Sequence, residues 1–172
     1  MSVESEVLEK IKPKQQEIER ISDAAKNLKE KAEAYIQENG LAATEVRFVG
    51  SYAKDTFLSD PDLDIFLLFP PEVSRETLEN EGLKAGEDLL HGTRMYSEHP
   101  YTRGKFMGLD VDMVPCYLLE NTKKLQSSVD RTPFHTEYVR SHLRSEQKDD
   151  VRLLKKFMKG IAAYGAEMGT HI

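Results

Sequence analysis

The sequence predicts an α+β fold, in which a mixed five-stranded sheet is backed by helices and followed by the start of a helical domain. The first forty residues carry an apolar stripe with helical spacing, residues 45–114 contain five strand-like segments, and another helical pattern begins near Asp149. Helices that flank a run of strands are typical of α+β proteins. We therefore expect one domain over residues 1–140 and the beginning of a helical domain over residues 141–172.

The N-terminal region is predicted to be helical. Within residues 2–39, apolar side chains recur at spacings of three and four, at Ile18, Ile21, Ala25, Leu28, Ala32 and Tyr35. Pro13 suits the first turn of a second helix, and Gly40 suits a left-handed helix end. One stripe of this length is typical of a helix that packs on a sheet, since a coiled coil that binds a partner needs more heptads.

Five strands are predicted after these helices. The first, residues 45–49, alternates and runs directly into Gly50, and the second covers residues 62–69 and is closed by two prolines. The other strands are expected near residues 93–97, 101–107 and 109–114, the last of them ended by Pro115. Residues 74–91 read as a helix between the second and third strands.

The composition excludes several classes of protein. The chain has 39% hydrophobic and 31% charged residues, no long apolar run and a single cysteine, Cys116. A membrane span, a disulfide framework and a cysteine-based zinc site are therefore not expected, and a reducing, cytoplasmic location is. Residues 1–120 hold 14 basic and 24 acidic side chains, whereas residues 121–172 hold 10 and 6. A phosphate-binding surface should draw on the C-terminal third.

Three aspartates are the candidate metal ligands. Asp62 and Asp64 are two apart on a predicted strand, so both carboxylates point to one face. Such close like charges repel unless a cation lies between them, and Mg²⁺ favours carboxylates, phosphate oxygens and water. Asp112, on another strand, would complete a two-metal site that clamps the attacking and leaving oxygens. Asp110 shares its face, but Asp112 lies deeper in the apolar segment.

A Gly50-Ser51 turn follows the first strand, twelve residues before the aspartate pair. A glycine at this point lets the backbone approach a phosphate, and the serine adds a hydroxyl donor. A Gly-Ser turn alone is weak support for a phosphate site. Its position ahead of two same-face aspartates, with a third some fifty residues later, is much more specific.

An ordered series of blocks resembles the catalytic core of the archaeal, class I CCA-adding enzymes. The blocks are Gly-Ser-Tyr-Ala-Lys-Asp-Thr-Phe-Leu at 50–58, Asp-Leu-Asp-Ile-Phe-Leu-Leu-Phe-Pro at 62–70 and Val-Asp-Met-Val-Pro-Cys-Tyr at 111–117. Residues 130–135, 151–155 and 164–167 are similar to later blocks of the family. The resemblance covers nearly the whole chain, and the series is more specific than the Gly-Ser and Asp motifs that poly(A) polymerases share.

The resemblance implies a polymerase-β-like nucleotidyltransferase fold. It also implies an enzyme that uses two Mg²⁺ ions to add C, C and A from CTP and ATP to the tRNA 3′ end without a template. By this resemblance Asp62, Asp64 and Asp112 hold the metals, and Asp112 also assists deprotonation of the primer 3′-OH. The nucleotide pocket would comprise Gly50, Ser51, Lys54, His135, Lys155 and Tyr164. Lys54 stands where the family often has arginine, which keeps the charge but gives up two-point phosphate geometry.

The C-terminal helix pattern supplies a candidate phosphate-binding face. Its basic residues recur at helical spacing, at Arg152, Lys155, Lys156 and Lys159, and its apolar residues form a separate face, at Val151, Leu154, Met158 and Ile161. Next to a metal site, the basic face is well placed to meet a triphosphate or the tRNA backbone. Lys155 is the preferred single contact.

Members of the family continue well past residue 172 into a body and tail that grip the tRNA. A homodimer or a further C-terminal portion is therefore expected to complete the tRNA contacts. Two alternatives stay open at this point. The chain could bind Mg²⁺ and nucleotide without acting on tRNA, or it could be a minimal nucleotidyltransferase that modifies another acceptor, such as a protein.

Overall fold

The computed structural model describes residues 2–59, 61–96 and 99–163, which form six α-helices and five strands. The helices are α1 (Val3–Ile11), α2 (Gln15–Asn39), α3 (Gly50–Ala53), α4 (Arg75–Leu90), α5 (Thr132–His142) and α6 (Gln147–Gly160). The strands are β1 (Glu45–Val49), β2 (Leu63–Phe69), β3 (Thr93–Met95), β4 (Tyr101–Phe106) and β5 (Leu109–Tyr117). Two short 3₁₀ turns, Thr122–Lys124 and Ser128–Arg131, lie between β5 and α5.

The strands form one mixed sheet in the order β1-β2-β5-β4-β3. The central pair, β2 and β5, is parallel, and the other three pairs are antiparallel. The connection from β2 to β5 contains α4, β3 and β4, and so has the length that a crossover between parallel strands needs. The predicted α+β class and the five-stranded mixed sheet are confirmed.

The alternation of side chains along β2 divides the core into two parts. Leu63, Ile65 and Leu67 point to the face that packs with the apolar stripe of α2, and this cluster is the larger core. Phe66 and Leu68 point to the opposite face, where they pack with Val114 and Cys116 of β5 in a smaller cluster. Asp64 shares the even-numbered face, so its carboxylate lies beside the smaller cluster and not in the larger one.

Three features differ from the sequence prediction. Pro13 lies before Lys14, the N-cap of α2, and not in the first turn of that helix. Pro115 does not end β5, which continues to Tyr117. Pairing with β4 stops at Met113, so Pro115 has a strand neighbour on one side only, where a missing N–H is tolerated. Helix α5 was not predicted because it buries only Pro133 and Thr136 and therefore carries no apolar stripe. Its span also crosses residue 140, and the division of the chain at that residue stays a prediction.

Helix α6 is held to the rest of the chain mainly by polar contacts. Lys12, the C-cap of α1, pairs with Asp149 at 2.7 Å, and the buried Arg152 donates to the backbone oxygens of Phe57 and Asp55 at 3.0 and 2.7 Å. The apolar side of the helix is largely exposed, at Leu154, Phe157 and Ile161. Among the residues that the structure describes, no helix is long and apolar enough to cross a membrane.

A buried carboxylate anchors the segment that leads into α5. Asp130 is fully buried and accepts N–H bonds from Tyr117 at 3.0 Å, from Gln126 at 2.9 Å and from Ser127 at 2.7 Å. Buried charge is tolerated when donors surround it in this way. Asp130 therefore fixes the position of α5 relative to the end of β5.

We expect Asp130→Asn to lower the free energy of unfolding by at least about 2 kcal/mol, because the new amide group would oppose backbone donors and the charge-assisted bonds would be lost. Urea denaturation measures the change. The matched control is Asp110→Asn, whose carboxylate makes an exposed ion pair with Lys105 and should change the same quantity by less than about 0.5 kcal/mol. Equal effects of the two substitutions would contradict the anchoring role.

Candidate active site

The three candidate acids meet at one end of the parallel strand pair. Asp64 and Asp112 are direct partners in the register of β2 and β5, and Asp62 lies two residues before Asp64 on the same face. Burial, followed by the charges of Asp112 and Asp62, raises the pKa of Asp64 to about 6. Burial also raises the pKa of Asp62, with Asp110 and Asp112 adding to the effect. The protein thus holds crowded negative charge at this point.

Gly50 allows the backbone after β1 to approach this acidic cluster. Its φ angle is +67°, and a Cβ built there would overlap Oδ2 of Asp64. The Gly50 N–H donates to Oγ1 of Thr136 at 3.4 Å, so a residue of α5 holds the turn from the other side. Only glycine satisfies both the left-handed conformation and the lack of space.

A cavity of about 360 Å³ opens between the acids and helix α6. Its polar lining comes from Gly50, Ser51, Lys54, Ser59, Asp62, Asp64, Lys155 and Lys159. Carboxylates therefore line one part of the cavity and ammonium groups another. This charge arrangement suits a ligand that combines divalent cations with phosphate groups.

Lys155 is held in place by two hydrogen bonds to Thr56. Its Nζ donates to the backbone oxygen of Thr56 at 2.9 Å and to Oγ1 of the same residue at 3.0 Å. Burial, followed by the charges of Lys54, Arg152 and Lys159, lowers the pKa of Lys155 to about 8. The crowded ammonium groups would be stabilised by an anion in the cavity.

Asp112 is engaged by an arginine of the neighbouring strand. Arg103 of β4 donates from Nε to Oδ1 at 2.8 Å and from Nη2 to Oδ2 at 2.7 Å. In the part of the chain that the structure describes, no three Asp, Glu, His or Cys side chains form a ready metal cluster. The donor chemistry still fits a hard divalent cation, because all three groups are carboxylates, and because burial, followed by the charges of Asp112 and Asp62, raises the pKa of Asp64.

Most of the chain matches one known protein family. Residues 18–135 match the family model described as a nucleotidyltransferase domain, which is more than half of the chain. The chain belongs to the nucleotidyltransferase domain family. Proteins of this family generally use divalent metal ions, in agreement with the carboxylate cluster.

Similar full-length proteins are named CCA-adding enzymes. The nucleotidyltransferase chain is 44% identical to the enzyme of Pyrococcus abyssi over 95% of its length, and 41% identical to that of Thermoplasma volcanium over 97%. It spans only 37% and 38% of these two relatives. The enzyme of Haloarcula marismortui is 44% identical over 90% of the chain, which spans 33% of that relative.

Similar solved structures confirm the nucleotidyltransferase fold. A cytoplasmic RNA terminal U-transferase superposes with a TM-score of 0.64 at 18% identity, covering 91% of this chain and 44% of that one. CdnC of E. coli MS115-1, solved with ATP, gives a TM-score of 0.62 at 21% identity, covering 88% of this chain and 56% of the other. Because these identities are low, the two structures support the shared fold alone.

The structure brings most of the predicted site residues together. Six of them line the cavity, namely Gly50, Ser51, Lys54, Asp62, Asp64 and Lys155, and Asp112 lies beside Asp64. His135 is an exposed residue of α5 and does not line the cavity, and Tyr164 lies outside the described residues. Arg152, predicted to join the basic face, is buried and bonded internally, so it is not available to phosphate. The functional roles stay predictions.

Two positioning residues were missed by sequence reasoning. Thr136 looks like an ordinary helical residue, and only the packing of α5 brings it to Gly50. Arg103 had a usable signal in Gly108, a turn residue between two strand-like segments, and the structure shows a two-residue turn there with positive φ at Met107 and Gly108, 48° and 79°. A turn of this kind fixes the hairpin register, and counting back from it places Arg103 opposite Asp112.

The raised pKa of Asp64 predicts a pH-dependent stability in chelator-treated protein. Below about pH 4, the ordinary pKa of an unfolded carboxyl group, Asp64 is protonated in both the folded and the unfolded chain and does not reduce stability. As the pH rises from there through about 6, the folded-state pKa, the fold becomes less stable because the unfolded chain loses this proton more easily. We expect Asp64→Asn to stabilise the metal-free chain by on the order of 2 kcal/mol at about pH 8 and by much less at about pH 4. Urea denaturation with EDTA at both pH values measures this difference. A gain that is equal at both pH values would contradict the charge explanation.

Proposed function

We propose that this chain is the catalytic portion of a CCA-adding enzyme, which adds C, C and A from CTP and ATP to the tRNA 3′ end without a template. The observation that carries the proposal is the convergence of Asp62, Asp64 and Asp112 beside the Gly50-Ser51 turn and a lysine-lined cavity. The identity of more than 40% to CCA-adding enzymes supports the choice of acceptor.

In the proposed reaction, the 3′ oxygen of the tRNA forms a bond to the α-phosphorus of the nucleotide. The bond between that phosphorus and the oxygen bridging to the β-phosphate breaks, and pyrophosphate leaves. Two Mg²⁺ ions, held by Asp62, Asp64 and Asp112, would supply the electrostatic stabilisation of the attacking and leaving oxygens. Asp112 would also assist deprotonation of the 3′-OH. Ser51, Lys54 and Lys155 would orient the triphosphate.

Other parts of the proposal follow from the same assignment. His135 and Tyr164 would complete the nucleotide pocket once substrate is bound. Residues 1–140 would form the catalytic domain and residues 141–172 the start of a helical domain. A homodimer or a further C-terminal portion would supply the remaining tRNA contacts, since the chain spans 37% of the length of its relative from Pyrococcus abyssi. We place this reaction in the cytoplasm.

We expect Asp62→Asn, Asp64→Asn and Asp112→Asn each to reduce nucleotide incorporation by at least about 100-fold, because each removes a ligand of the charge-stabilising site. The assay uses tRNA that lacks its terminal CCA, labelled CTP or ATP, and Mg²⁺. Asp110→Asn is the control and should retain activity, because the Asp110 carboxylate is exposed, pairs with Lys105 and is not one of the three proposed metal ligands. Full turnover by any of the three variants would refute the assignment.

The same assay separates the alternative functions. Binding of CTP or ATP by the unchanged chain, without transfer of label to tRNA, would indicate a nucleotide-binding module. Transfer of label to a protein or to another RNA, but not to tRNA, would indicate a nucleotidyltransferase with a different acceptor. Either result would replace the CCA-adding proposal.

Lys155→Met should weaken ATP binding about tenfold, because it removes a charge-assisted contact to phosphate. The affinity of the unchanged chain should also fall as pH rises through about 8, where Lys155 loses its proton, and this pH dependence should disappear in the variant. Isothermal titration calorimetry at several pH values measures both effects. Lys84→Met, an exposed position on α4, is the control. Loss of affinity without loss of the pH dependence would contradict the role of Lys155.

A further inference from the structure

The ion pair between Arg103 and Asp112 differs from its neighbours on the same two strands. Arg103 bonds to both carboxylate oxygens of Asp112, and the Asp112 side chain is only 18% exposed. Two residues away on each of these strands, Lys105 makes a single contact with Asp110, whose side chain is 54% exposed. The first pair therefore has the fixed, two-point geometry that makes arginine-carboxylate contacts strong, and the second is an ordinary surface pair.

The guanidinium acts on all three acids of the site. Burial and the neighbouring carboxylates raise the pKa of Asp64, and the positive charges of Lys54 and Arg103 partly oppose this increase. The charge of Arg103 opposes the increase at Asp62 in the same way. The ring of Tyr101 lies 5.6 Å from the guanidinium and supports it by a cation–π contact. Arg103 is therefore a counter-ion of the whole acidic cluster.

A divalent cation and this guanidinium compete for the same carboxylate. Both oxygens of Asp112 are committed to Arg103, and a cation at Asp112 would also be repelled by the guanidinium at short range. The Arg103 side chain is 46% exposed, so it has space to move away from Asp112. A nucleotide triphosphate would favour this exchange, because its negative charge attracts cations to the site.

We propose that Arg103 is a positioning residue that holds Asp112 until metal and nucleotide arrive together, and that its release from Asp112 is a step in assembling the site. This inference rests on the proposed function, because it requires Asp112 to be a metal ligand. Arg103 thereby weakens metal binding in the absence of nucleotide. It keeps the third carboxylate neutralised and correctly placed at the same time.

The test measures Mn²⁺ binding to the 172-residue chain by electron paramagnetic resonance, without nucleotide. We expect Arg103→Gln to tighten Mn²⁺ binding about tenfold, because the competing charge is removed. The matched control is Lys105→Gln, which removes the same charge from the same strand and should change the affinity less than about twofold. Arg103→Lys, which keeps the charge but loses the two-point geometry, should lie between the unchanged chain and Arg103→Gln. Thermal melting confirms that each variant is folded.

The outcomes distinguish this inference from the proposed function. The inference would be overturned if Arg103→Gln bound Mn²⁺ no more tightly than the unchanged chain and if Arg103→Lys also showed no gain in affinity. If Asp64→Asn and Asp112→Asn still abolished Mn²⁺ binding in that case, the metal site itself would stand. If those two aspartate variants bound Mn²⁺ as tightly as the unchanged chain, the metal site and the role of Arg103 would both be refuted.

Discussion

Repulsion among three carboxylates at one end of a sheet is the constraint on which the rest of the site depends. Asp64 and Asp112 face each other across the parallel strands, and Asp62 adds a third charge on the same face. Their burial and mutual repulsion raise the pKa of Asp64 to about 6. Such an arrangement costs stability in the free protein, and it persists because the strands are held by a large apolar core on the opposite face. In a nucleotidyltransferase this repulsion favours metal binding, because divalent cations at the three carboxylates neutralise their charge.

Basic side chains from distant parts of the chain lie near these carboxylates and partly balance their negative charge. Arg103 of the next strand pairs with Asp112, and Lys155 and Lys159 of α6 line the cavity together with Asp62 and Asp64. Helix α6 is itself held by Arg152, so a buried arginine positions Lys155 rather than contacting substrate. Arg103 and Arg152 thus position charged side chains and need not react themselves. A reaction that depends on positioning and electrostatic stabilisation requires such support.

Much of the fold was accessible from local patterns. The stripe of α2 and the alternation of β1 and β2 have strong periodicity, and the structure contains these elements close to their predicted bounds. Helix α5 was missed because its position depends on the hydrogen bonds of Asp130 and the contact of Thr136, neither of which leaves a periodic signal. Pro115 misled the prediction because its effect depends on whether a neighbouring strand is present on both sides.

Local sequence patterns were enough to predict the strand periodicity, the shared face of Asp62 and Asp64 and the glycine turn ahead of them, because each follows from local geometry. Three other relations are visible only in the folded chain: Asp112 lies directly beside Asp64, Arg103 pairs with Asp112, and Arg152 is buried while Lys155 lines the cavity. Strand order and helix docking set these relations through contacts between residues far apart in the chain. Local spacing contains no record of such contacts, except where a tight turn fixes the register of a hairpin.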